Sequence, residues 1–243
     1  MRVKNMSAPL ENAVALITGA SRGLGSAVAI ELARLGAHTV ITARTQGGLE
    51  DTDDAIRSSG GAATLLPLDL REREQLDAIG PSLFQRFGRL DMLVHCAAAL
   101  GRLTPVSHIF PPDWAEVVDV NLTAAWQLIR TCEPLLRNAP AGRAVFVTDA
   151  RAREPLAYWG PYGTTKAAME HLVLTWAGEL RQTRLRVNLF DPGIMRTRLR
   201  AGAFPGEDAA LHQLPSAVAP ALAELCLPTE TRHGIVVRTE ARP

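Results

Sequence analysis

The chain lacks the composition of proteins that bind nucleic acids or membranes. Aromatic residues make up only 5% of its 243 residues, too few for a platform on which bases stack. Lys and Arg number 26 against 25 Asp and Glu, and no basic block stands out, so we expect neither a nucleic acid nor a membrane as partner. Apolar runs stay well short of the roughly 18 residues that a membrane-spanning helix needs. The N-terminal stretch has no apolar segment like that of a signal peptide, and we expect a cytoplasmic protein.

Cysteine and histidine are also scarce. The three cysteines, Cys96, Cys132 and Cys226, form no metal-ligand spacing, and their odd number suits reduced thiols packed in the core. The six histidines form no H-E-x-x-H or similar array. We therefore expect no metal site.

What the chain does have is an alternation of short apolar runs and longer helical stretches, which is typical of an α/β, doubly wound parallel sheet with helices on both faces. The candidate strands are Ala13–Thr18, His38–Ala43, Ala62–Leu68, Met92–Cys96, Ala144–Thr148, Arg186–Phe190 and Ile235–Arg238. The candidate helices are Leu24–Leu35, Leu49–Ser59, Glu72–Phe87, Pro112–Leu136 and Tyr162–Gln182. No linker or repeat divides the sequence, so we predict one domain over residues 1–243, with an N-terminal tail over residues 1–10.

One stretch, residues 196–215, is rich in Arg, Ala, Gly and Pro and has no clear periodicity. An irregular segment of this length inside a compact domain is more often a lid or binding loop than a simple connection. Its glycines and prolines give it a means to move. We therefore expect a substrate lid here, within the single domain.

A glycine-rich turn follows the first strand and opens the first helix, where residues 18–25 read Thr-Gly-Ala-Ser-Arg-Gly-Leu-Gly. Glycine permits a tight turn and close approach of the backbone, so that a pyrophosphate can lie on the free N–H groups of the helix. The position of the turn in a β-α-β unit makes this interpretation more specific than the glycines alone. The expected cofactor contacts in this turn are Gly19, Ser21, Arg22, Gly23, Leu24 and Gly25.

The end of the second strand indicates which dinucleotide is preferred. Folds that bind NAD usually place an acidic residue there, to bind the ribose 2′-OH. This chain has Ala43 and Arg44 instead, and Arg22 lies in the glycine-rich turn. Two guanidinium groups without a carboxylate suit a 2′-phosphate, so we expect NADP(H) in preference to NAD(H); two solvated surface arginines are the alternative. Asp69 and Leu70 are candidates for the adenine edge, although Asp69 serves equally well as a helix N-cap.

Tyr162 and Lys166 are spaced to share one face of a helix. An ammonium group beside a phenol stabilises the phenolate and lowers the tyrosine pKa from its ordinary value of about 10. Tyr162 would then serve as a proton donor and acceptor near neutral pH. On its own the Y-x-x-x-K spacing is common on exposed helices, and its value depends on the motifs around it.

Together these motifs resemble the short-chain dehydrogenase/reductase family over nearly the whole chain. The matching residues are Thr18–Gly25, Asp69, Asn121, Tyr162 with Lys166, Asp191-Pro192-Gly193 and Thr197. The resemblance implies a Rossmann-like sheet of seven strands, and hydride transfer between a nicotinamide and the carbonyl or alcohol of a small molecule. It also implies a homodimer or homotetramer, with the helix that carries Tyr162 at an interface.

The resemblance further implies a role for each matching residue. Tyr162 gives or takes the proton, Lys166 binds the nicotinamide ribose and tunes Tyr162, and Asn121 holds a water in the proton relay. Residues 196–215 correspond to the variable substrate lid of the family. The residues that the resemblance places on the nicotinamide side are Pro192, Gly193 and Thr197.

Two positions depart from the family pattern. After the fourth strand the family usually has Asn-Asn-Ala-Gly, whereas this chain has His95-Cys96-Ala97-Ala98. The backbone at Ala97 can still approach the cofactor, because the residues after His95 are small. We interpret His95 as a packed residue at a strand end, since nothing in the sequence places an orienting partner beside it. The second departure is Asp149, where the family normally has a serine hydroxyl that bonds the substrate carbonyl.

Asp149 leaves three hypotheses open. An ionised carboxylate offers no donor and raises the pKa of a nearby Tyr162, which leaves a slow enzyme or a regulatory protein that only binds the dinucleotide. A buried, protonated Asp149 donates to the carbonyl as serine does. Alternatively, Asp149-Ala150, Pro155-Leu156 and Tyr162 resemble the pteridine reductases of the same family, in which the aspartate serves reduction of a C=N bond, although Leu100 stands where those enzymes have phenylalanine. Carbonyl or alcohol chemistry is the main expectation.

Overall fold

The computed structural model describes residues 8–239, so the expected N-terminal tail lies outside the described residues except for residues 8–10. Seven parallel strands form one sheet in the order β3-β2-β1-β4-β5-β6-β7. The strands are β1 (Val14–Thr18), β2 (His38–Ala43), β3 (Ala62–Pro67), β4 (Met92–His95), β5 (Arg143–Val147), β6 (Arg186–Asp191) and β7 (Val236–Arg238). The predicted Rossmann-like sheet is confirmed. Its order reverses between β1 and β4, and ligands of such folds bind at the carboxyl ends of the strands at this point.

Helices cover both faces of this sheet. They are α1 (Gly23–Arg34), α2 (Gln46–Ser58), α3 (Arg73–Asp77), α4 (Ile79–Phe87), α5 (Pro111–Val118), α6 (Ala124–Asn138), α7 (Gly160–Glu179), α8 (Arg198–Ala203) and α9 (Pro215–Glu224). Short 3-10 turns cover Val106–His108, Ala150–Ala152 and Ala209–Leu211, and one π-helical turn covers Asp119–Thr123. Among residues 8–239, none of the helices is both long and apolar enough to cross a membrane.

Alternate residues of the central strands face opposite sides of the sheet and build two cores. Leu16 and Leu93 pack on one face with α4, α6 and α7. Ile17 and Val94 pack on the other face with α1, α2 and α9. A strand that is buried on both faces reads as an uninterrupted apolar run, which is why the strands were recognisable in the sequence. The double burial also fixes the register of the sheet, and with it the loops at the carboxyl ends of the strands.

The stretch predicted as one helix, Glu72–Phe87, is divided into α3 and α4. Thr131 of α6 causes the break, because its hydroxyl donates to the carbonyl of Asp77 and accepts from the N–H of Gly80, each at 3.0 Å. Gly80 is required for this contact, since a Cβ there would lie 2.1 Å from the carbonyl oxygen of Thr131. The apolar periodicity continues across the break and therefore concealed it.

The stretch predicted as a helix from Pro112 to Leu136 is also interrupted. The π-helical turn Asp119–Thr123 separates α5 from α6 and carries Asn121. Turns of this kind are often found at functional sites. Pro134 lies inside α6, which continues to Asn138.

Residues 196–215 are more regular than their sequence indicated, since they contain α8 and the turn Ala209–Leu211. Thr197 begins α8, its hydroxyl accepting from the N–H of Arg200 at 3.2 Å. The two ends of the segment are joined, because the N–H of Arg196 donates to the carbonyl of Gln213 at 3.0 Å. The segment is therefore tied together at its two ends and contains short helical elements. Residues 196–215 are called the lid.

The helix α9 was not predicted, because Pro215 and Pro220 lie within it. Proline is tolerated in the first turn of a helix, where the missing N–H has no partner to lose, and Pro215 stands there. Apolar residues of α9 pack against α1 on one face of the sheet. Burial of this face outweighs the low helix propensity of Pro220.

Candidate active site

A cleft of about 1460 Å³ runs across the carboxyl ends of the strands. The structure brings most of the expected site residues into its wall. They are Gly19, Ser21, Arg22, Gly23, Leu24, Gly25, Arg44, Asp69, Leu70, Ala97, Asp149, Tyr162, Lys166, Pro192, Gly193 and Thr197. These residues come from the six segments that follow strands β1 to β6, and the sheet order brings them together.

The glycine-rich turn has the shape that a dinucleotide needs. Gly19 has a φ of +67°, and a Cβ there would lie 2.8 Å from the backbone of Ala97. A Cβ on Gly25 would lie 2.4 Å from the carbonyl oxygen of Gly19. Within the described chain, no side chain caps the N-terminus of α1, and its first turn contains no acidic residue. The free N–H groups and the close backbone packing fit a pyrophosphate.

The two arginines expected at a 2′-phosphate both lie at the cleft, with Arg22 exposed and the side chain of Arg44 53% exposed. The structure adds a carboxylate that the sequence did not suggest, since Glu116 lies 3.6 Å from the guanidinium of Arg44. This pair is solvent-exposed and weak, so it leaves Arg44 available to a phosphate.

Asp69 is no N-cap of α3: it accepts from the N–H of Arg71 at 3.0 Å and pairs with its guanidinium at 2.6 Å.

Tyr162 and Lys166 lie in α7, and both are almost fully buried. The ammonium of Lys166 donates to the carbonyl of Val147, at the end of β5, at 2.8 Å. It also lies 5.9 Å from the centre of the Tyr162 ring. Burial lowers the pKa of Lys166 to about 8, while Asp149, Cys96 and Glu170 act in the opposite direction. The predicted pairing of the two side chains on one helix face is therefore present.

The electrostatics of Tyr162 differ from the sequence-based expectation. Burial raises the pKa of Tyr162 well above its ordinary value, and Asp149 raises it further through its charge and its hydrogen bond. The phenol donates to Oδ2 of Asp149 at 3.5 Å, and the charge of Asp191 acts in the same direction. The pairing with Lys166 was expected to lower this pKa, but a buried phenol beside a carboxylate retains its proton.

Asp149 is held by the backbone that follows it. Its Oδ1 accepts from the N–H of Arg151 at 2.7 Å and so caps the turn Ala150–Ala152. Its Oδ2 is left for the phenol of Tyr162 and for the cleft. Both carboxylate oxygens of Asp149 therefore accept hydrogen bonds, Oδ1 from the N–H of Arg151 and Oδ2 from the phenol of Tyr162.

Asn121 is fully buried, behind the part of the cleft wall formed by Ala99. Its amide oxygen accepts from the N–H of Ala99 at 2.7 Å, and its amide nitrogen donates to the carbonyl of the same residue at 3.0 Å. The nitrogen also donates to the hydroxyl of Thr165 at 3.0 Å. The side chain thus joins the π-helical turn to the loop after β4 and to α7.

His95 is fully buried at the end of β4, beside the cleft. Its Nδ1 is 2.9 Å from the hydroxyl of Thr18, and its Nε2 has no hydrogen-bond partner within residues 8–239. Burial, with a smaller effect of Lys166, lowers the pKa of His95 to about 3. A neutral, packed imidazole agrees with the interpretation of His95 as a strand-end residue.

Comparison with known proteins decides the family. The family model of the short chain dehydrogenases matches residues 13–208. The chain belongs to this family. It is 34% identical over 214 residues to the uncharacterized oxidoreductase YciK of Escherichia coli K12, covering 87% of this chain and 84% of YciK. Members of the family bind a nicotinamide cofactor and act on small molecules, so the protein is an oxidoreductase.

Solved structures of the family agree in fold. A chain assigned to the short chain dehydrogenases from Pseudomonas syringae superposes with a TM-score of 0.92 and 32% identity, covering 98% of both chains. A second, from Shigella flexneri, is complexed with NADP and superposes with a TM-score of 0.90 and 31% identity, covering 96% of this chain and 98% of that chain.

A buried network of charges lies beneath the active site of this short-chain dehydrogenase, and the sequence did not suggest it. The guanidinium of Arg153 pairs with Glu170 of α7 on one side and with Asp191 at the end of β6 on the other. Thr148 donates to Glu170 at 2.5 Å, and Asp191 accepts from the N–H of Gly193 at 3.1 Å. The only sign of this network in the sequence is the position of Glu170, one helical turn after Lys166.

Three aromatic rings form a wall that begins at Tyr162 and extends through Trp159 to Phe204 in the lid. The ring of Trp159 lies 5.5 Å from the ring of Tyr162, edge to face, and 5.7 Å from the ring of Phe204 in the lid. Trp159 lines the cleft, whereas Tyr158 is 57% exposed. The sequence gives no sign of the contact between Phe204 and Trp159, because that contact depends on the fold.

Proposed function

We propose that the protein reduces the carbonyl group of a small molecule with NADP(H), and that Tyr162 donates the proton. The observation that carries this proposal is the position of the Tyr162 phenol, buried beside Asp149 in a cleft that also holds the glycine-rich turn. Its raised pKa keeps Tyr162 protonated, which is the state that a proton donor to an alkoxide requires. The reverse reaction, alcohol oxidation, needs a phenolate as base and is disfavoured by the same carboxylate.

The residues of the cleft fit the dinucleotide. The turn around Gly19 and the N-terminus of α1 would hold the pyrophosphate, and Arg22 and Arg44 would hold a 2′-phosphate. The neighbour from Shigella flexneri, which is complexed with NADP, supports the same preference. The bound nicotinamide supplies the hydride. Pro192, Gly193 and Thr197 line the same cleft and would position the ring.

The chain's own residues then manage the proton. The phenol of Tyr162 would donate to the carbonyl oxygen of the substrate as the adjacent carbon is reduced. Lys166 would bind the nicotinamide ribose, and its positive charge partly offsets the carboxylate of Asp149. Asn121 would act as a positioning residue, because its amide joins the loop after β4 to α7 and so fixes these two parts of the cleft relative to each other. A proton from solvent would then restore the phenol of Tyr162.

Two other functions use the same site. In a C=N reductase, Asp149 would bind a protonated ring nitrogen as a carboxylate, or donate a proton to it as a carboxylic acid; the observation in favour is the position of Asp149 at the cleft beside Tyr162. In a regulatory protein, the raised pKa of Tyr162 would stop catalysis and leave dinucleotide binding alone. The three functions differ in turnover, so one set of assays separates them.

The test measures NADPH and NADH binding by calorimetry, and NADPH oxidation with panels of carbonyl compounds and dihydropterins. We expect tight NADPH binding and turnover of carbonyl compounds. Tyr162→Phe should reduce turnover at least about 100-fold without weakening NADPH binding, whereas Tyr158→Phe should leave turnover unchanged. Turnover of dihydropterins alone would favour the C=N reductase, and tight NADPH binding without turnover on either panel would favour the regulatory function.

We also propose that the protein forms a homodimer or homotetramer. Large apolar side chains on and beside α5 are exposed, with Phe110 at 59% and Trp114 at 41%. A monomer rarely exposes neighbouring residues of this size. Sedimentation velocity should show a dimer or tetramer, and a monomer at micromolar concentration would contradict the proposal.

A further inference from the structure

The cleft near Tyr162 is lined by aromatic and aliphatic side chains. Trp159 is buried and meets the ring of Tyr162 edge to face. Phe204 extends this wall into the lid, tilted by 34° against the ring of Trp159. Apolar side chains that also line the cleft include Leu100, Leu156 and Leu199. The lid approaches Leu100 too, since a Cβ on Gly202 would lie 3.8 Å from the Leu100 side chain.

The ring of Phe204 is also held in place by Arg200. The guanidinium carbon of Arg200 lies 3.8 Å from the centre of the ring, which is a close cation–π contact. Arg200 is itself fixed, because Glu207 pairs with its guanidinium. His212 contacts the same carboxylate at 2.9 Å. Phe204 is therefore clamped between Trp159 and Arg200, and a clamped ring loses little conformational entropy when a ligand packs against it.

The charges of this clamp are already matched to one another. Arg200 and His212 share Glu207, and the guanidinium of Arg151 faces Glu154 at 3.2 Å. The pKa of Glu207 is lowered to about 2, chiefly by its hydrogen bond to Arg200, so this carboxylate stays ionised at neutral pH. What Trp159 and Phe204 themselves offer to a substrate is then aromatic surface.

We infer that the site selects carbonyl compounds that carry an aromatic ring next to the reacting carbon, with the ring packed against Trp159 and Phe204. The wall begins at Tyr162, so a group attached directly to the carbonyl carbon reaches it when the carbonyl oxygen lies at the phenol. Aromatic rings attract each other in offset and edge-to-face arrangements beyond the effect of buried area, which a saturated ring of the same size does not reproduce. This inference rests on the proposed carbonyl chemistry at Tyr162.

The test compares ligands that differ only in aromaticity. Calorimetry on the NADP⁺-loaded protein would give the affinities of benzyl alcohol and cyclohexylmethanol, and NADPH oxidation would give kcat/KM for benzaldehyde and cyclohexanecarbaldehyde. The wild-type protein should prefer the aromatic member of each pair. Phe204→Leu should reduce that preference about three- to tenfold. Phe204→Tyr should retain it, and Phe84→Leu, the same change at a 63% exposed position outside the cleft, should leave it unchanged.

The two measurements separate this inference from the proposed function. If the aromatic alcohol binds preferentially and Phe204→Leu removes the preference, ring recognition stands even where neither aldehyde is reduced; the carbonyl chemistry alone then fails. If both aldehydes are reduced but the preference is the same in the wild-type protein and in Phe204→Leu, the inference is overturned while the proposed function stands. Equal binding of the two alcohols to the wild-type protein also overturns it.

Discussion

The two halves of the cleft carry their charges in different ways. In the dinucleotide half, Arg22 and Arg44 are exposed, and the tightest packing is between the backbones of Gly19 and Ala97. In the catalytic half, the charged groups are mostly withdrawn from solvent and depend on one another, as Arg153 does with Glu170. The exposed arginines of the first half are therefore charges that folding does not need, whereas in the second half the balance of charge is part of the fold.

The strongest way to break this comparison is to remove the cation at the centre of the buried network. Arg153→Met leaves Glu170 and Asp191 without their common partner, and uncompensated buried charges are costly. We expect the free energy of unfolding to fall by about 3 kcal/mol. The measurement is denaturation by urea. Arg137→Met, which removes the exposed partner of Glu133, is the matched control and should cost about 0.5 kcal/mol or less. Equal losses in the two variants would show that the buried network contributes no more than a surface pair.

A second variant tests the role of backbone geometry in the dinucleotide half. Gly19→Ala combines a positive φ with a Cβ only 2.8 Å from Ala97. We expect a loss of about 2 kcal/mol in the free energy of unfolding, from backbone strain and the steric clash, and a marked loss of NADPH affinity. Gly60→Ala shares the positive φ but has open space around it. It should cost about 1 kcal/mol and leave NADPH affinity intact. If NADPH bound to Gly19→Ala as tightly as to Gly60→Ala, close approach at this turn would not matter for the cofactor.

The smallest expected effect concerns the exposed charges. Arg44→Ala should weaken NADPH binding about tenfold through the loss of a charge-assisted hydrogen bond. It should leave NADH binding and the free energy of unfolding nearly unchanged, because the side chain is half exposed and its contact with Glu116 is long. Calorimetric titration with both dinucleotides measures this. A parallel loss of NADPH and NADH affinity would contradict a contact with the 2′-phosphate.

The same contrast explains what could be predicted from the sequence. Strands such as β1 and β4 were recognisable because burial on both faces leaves apolar runs, and Gly19 was recognisable because a tight turn demands glycine. The residues in the cleft wall followed from short local motifs. Contacts between distant segments did not follow: Thr131 against Gly80, Arg153 between Glu170 and Asp191, and Phe204 against Trp159 each join elements whose proximity only the fold creates.

The direction of the pKa shift at Tyr162 also depends on the fold and could not be read from its spacing to Lys166. The spacing of Tyr162 and Lys166 predicts a lowered pKa, as if the two side chains were alone on one helix face. In the structure, burial and the carboxylate of Asp149 decide the direction, and Lys166 is held by the carbonyl of Val147. One local hypothesis for Asp149 did anticipate the raised pKa, but the sequence could not show how deeply the phenol is buried.

The central claim, that Asp149 and burial keep Tyr162 protonated, can be tested directly because the chain contains only two tyrosines. In Tyr158→Phe, the ultraviolet absorbance of tyrosinate reports on Tyr162 alone and can be followed as the pH is raised. We expect Tyr162 to ionise above its ordinary value of about 10, and to ionise at lower pH when Asp149→Ser is added. Ionisation near neutral pH, or a titration that Asp149→Ser does not move, would contradict the account.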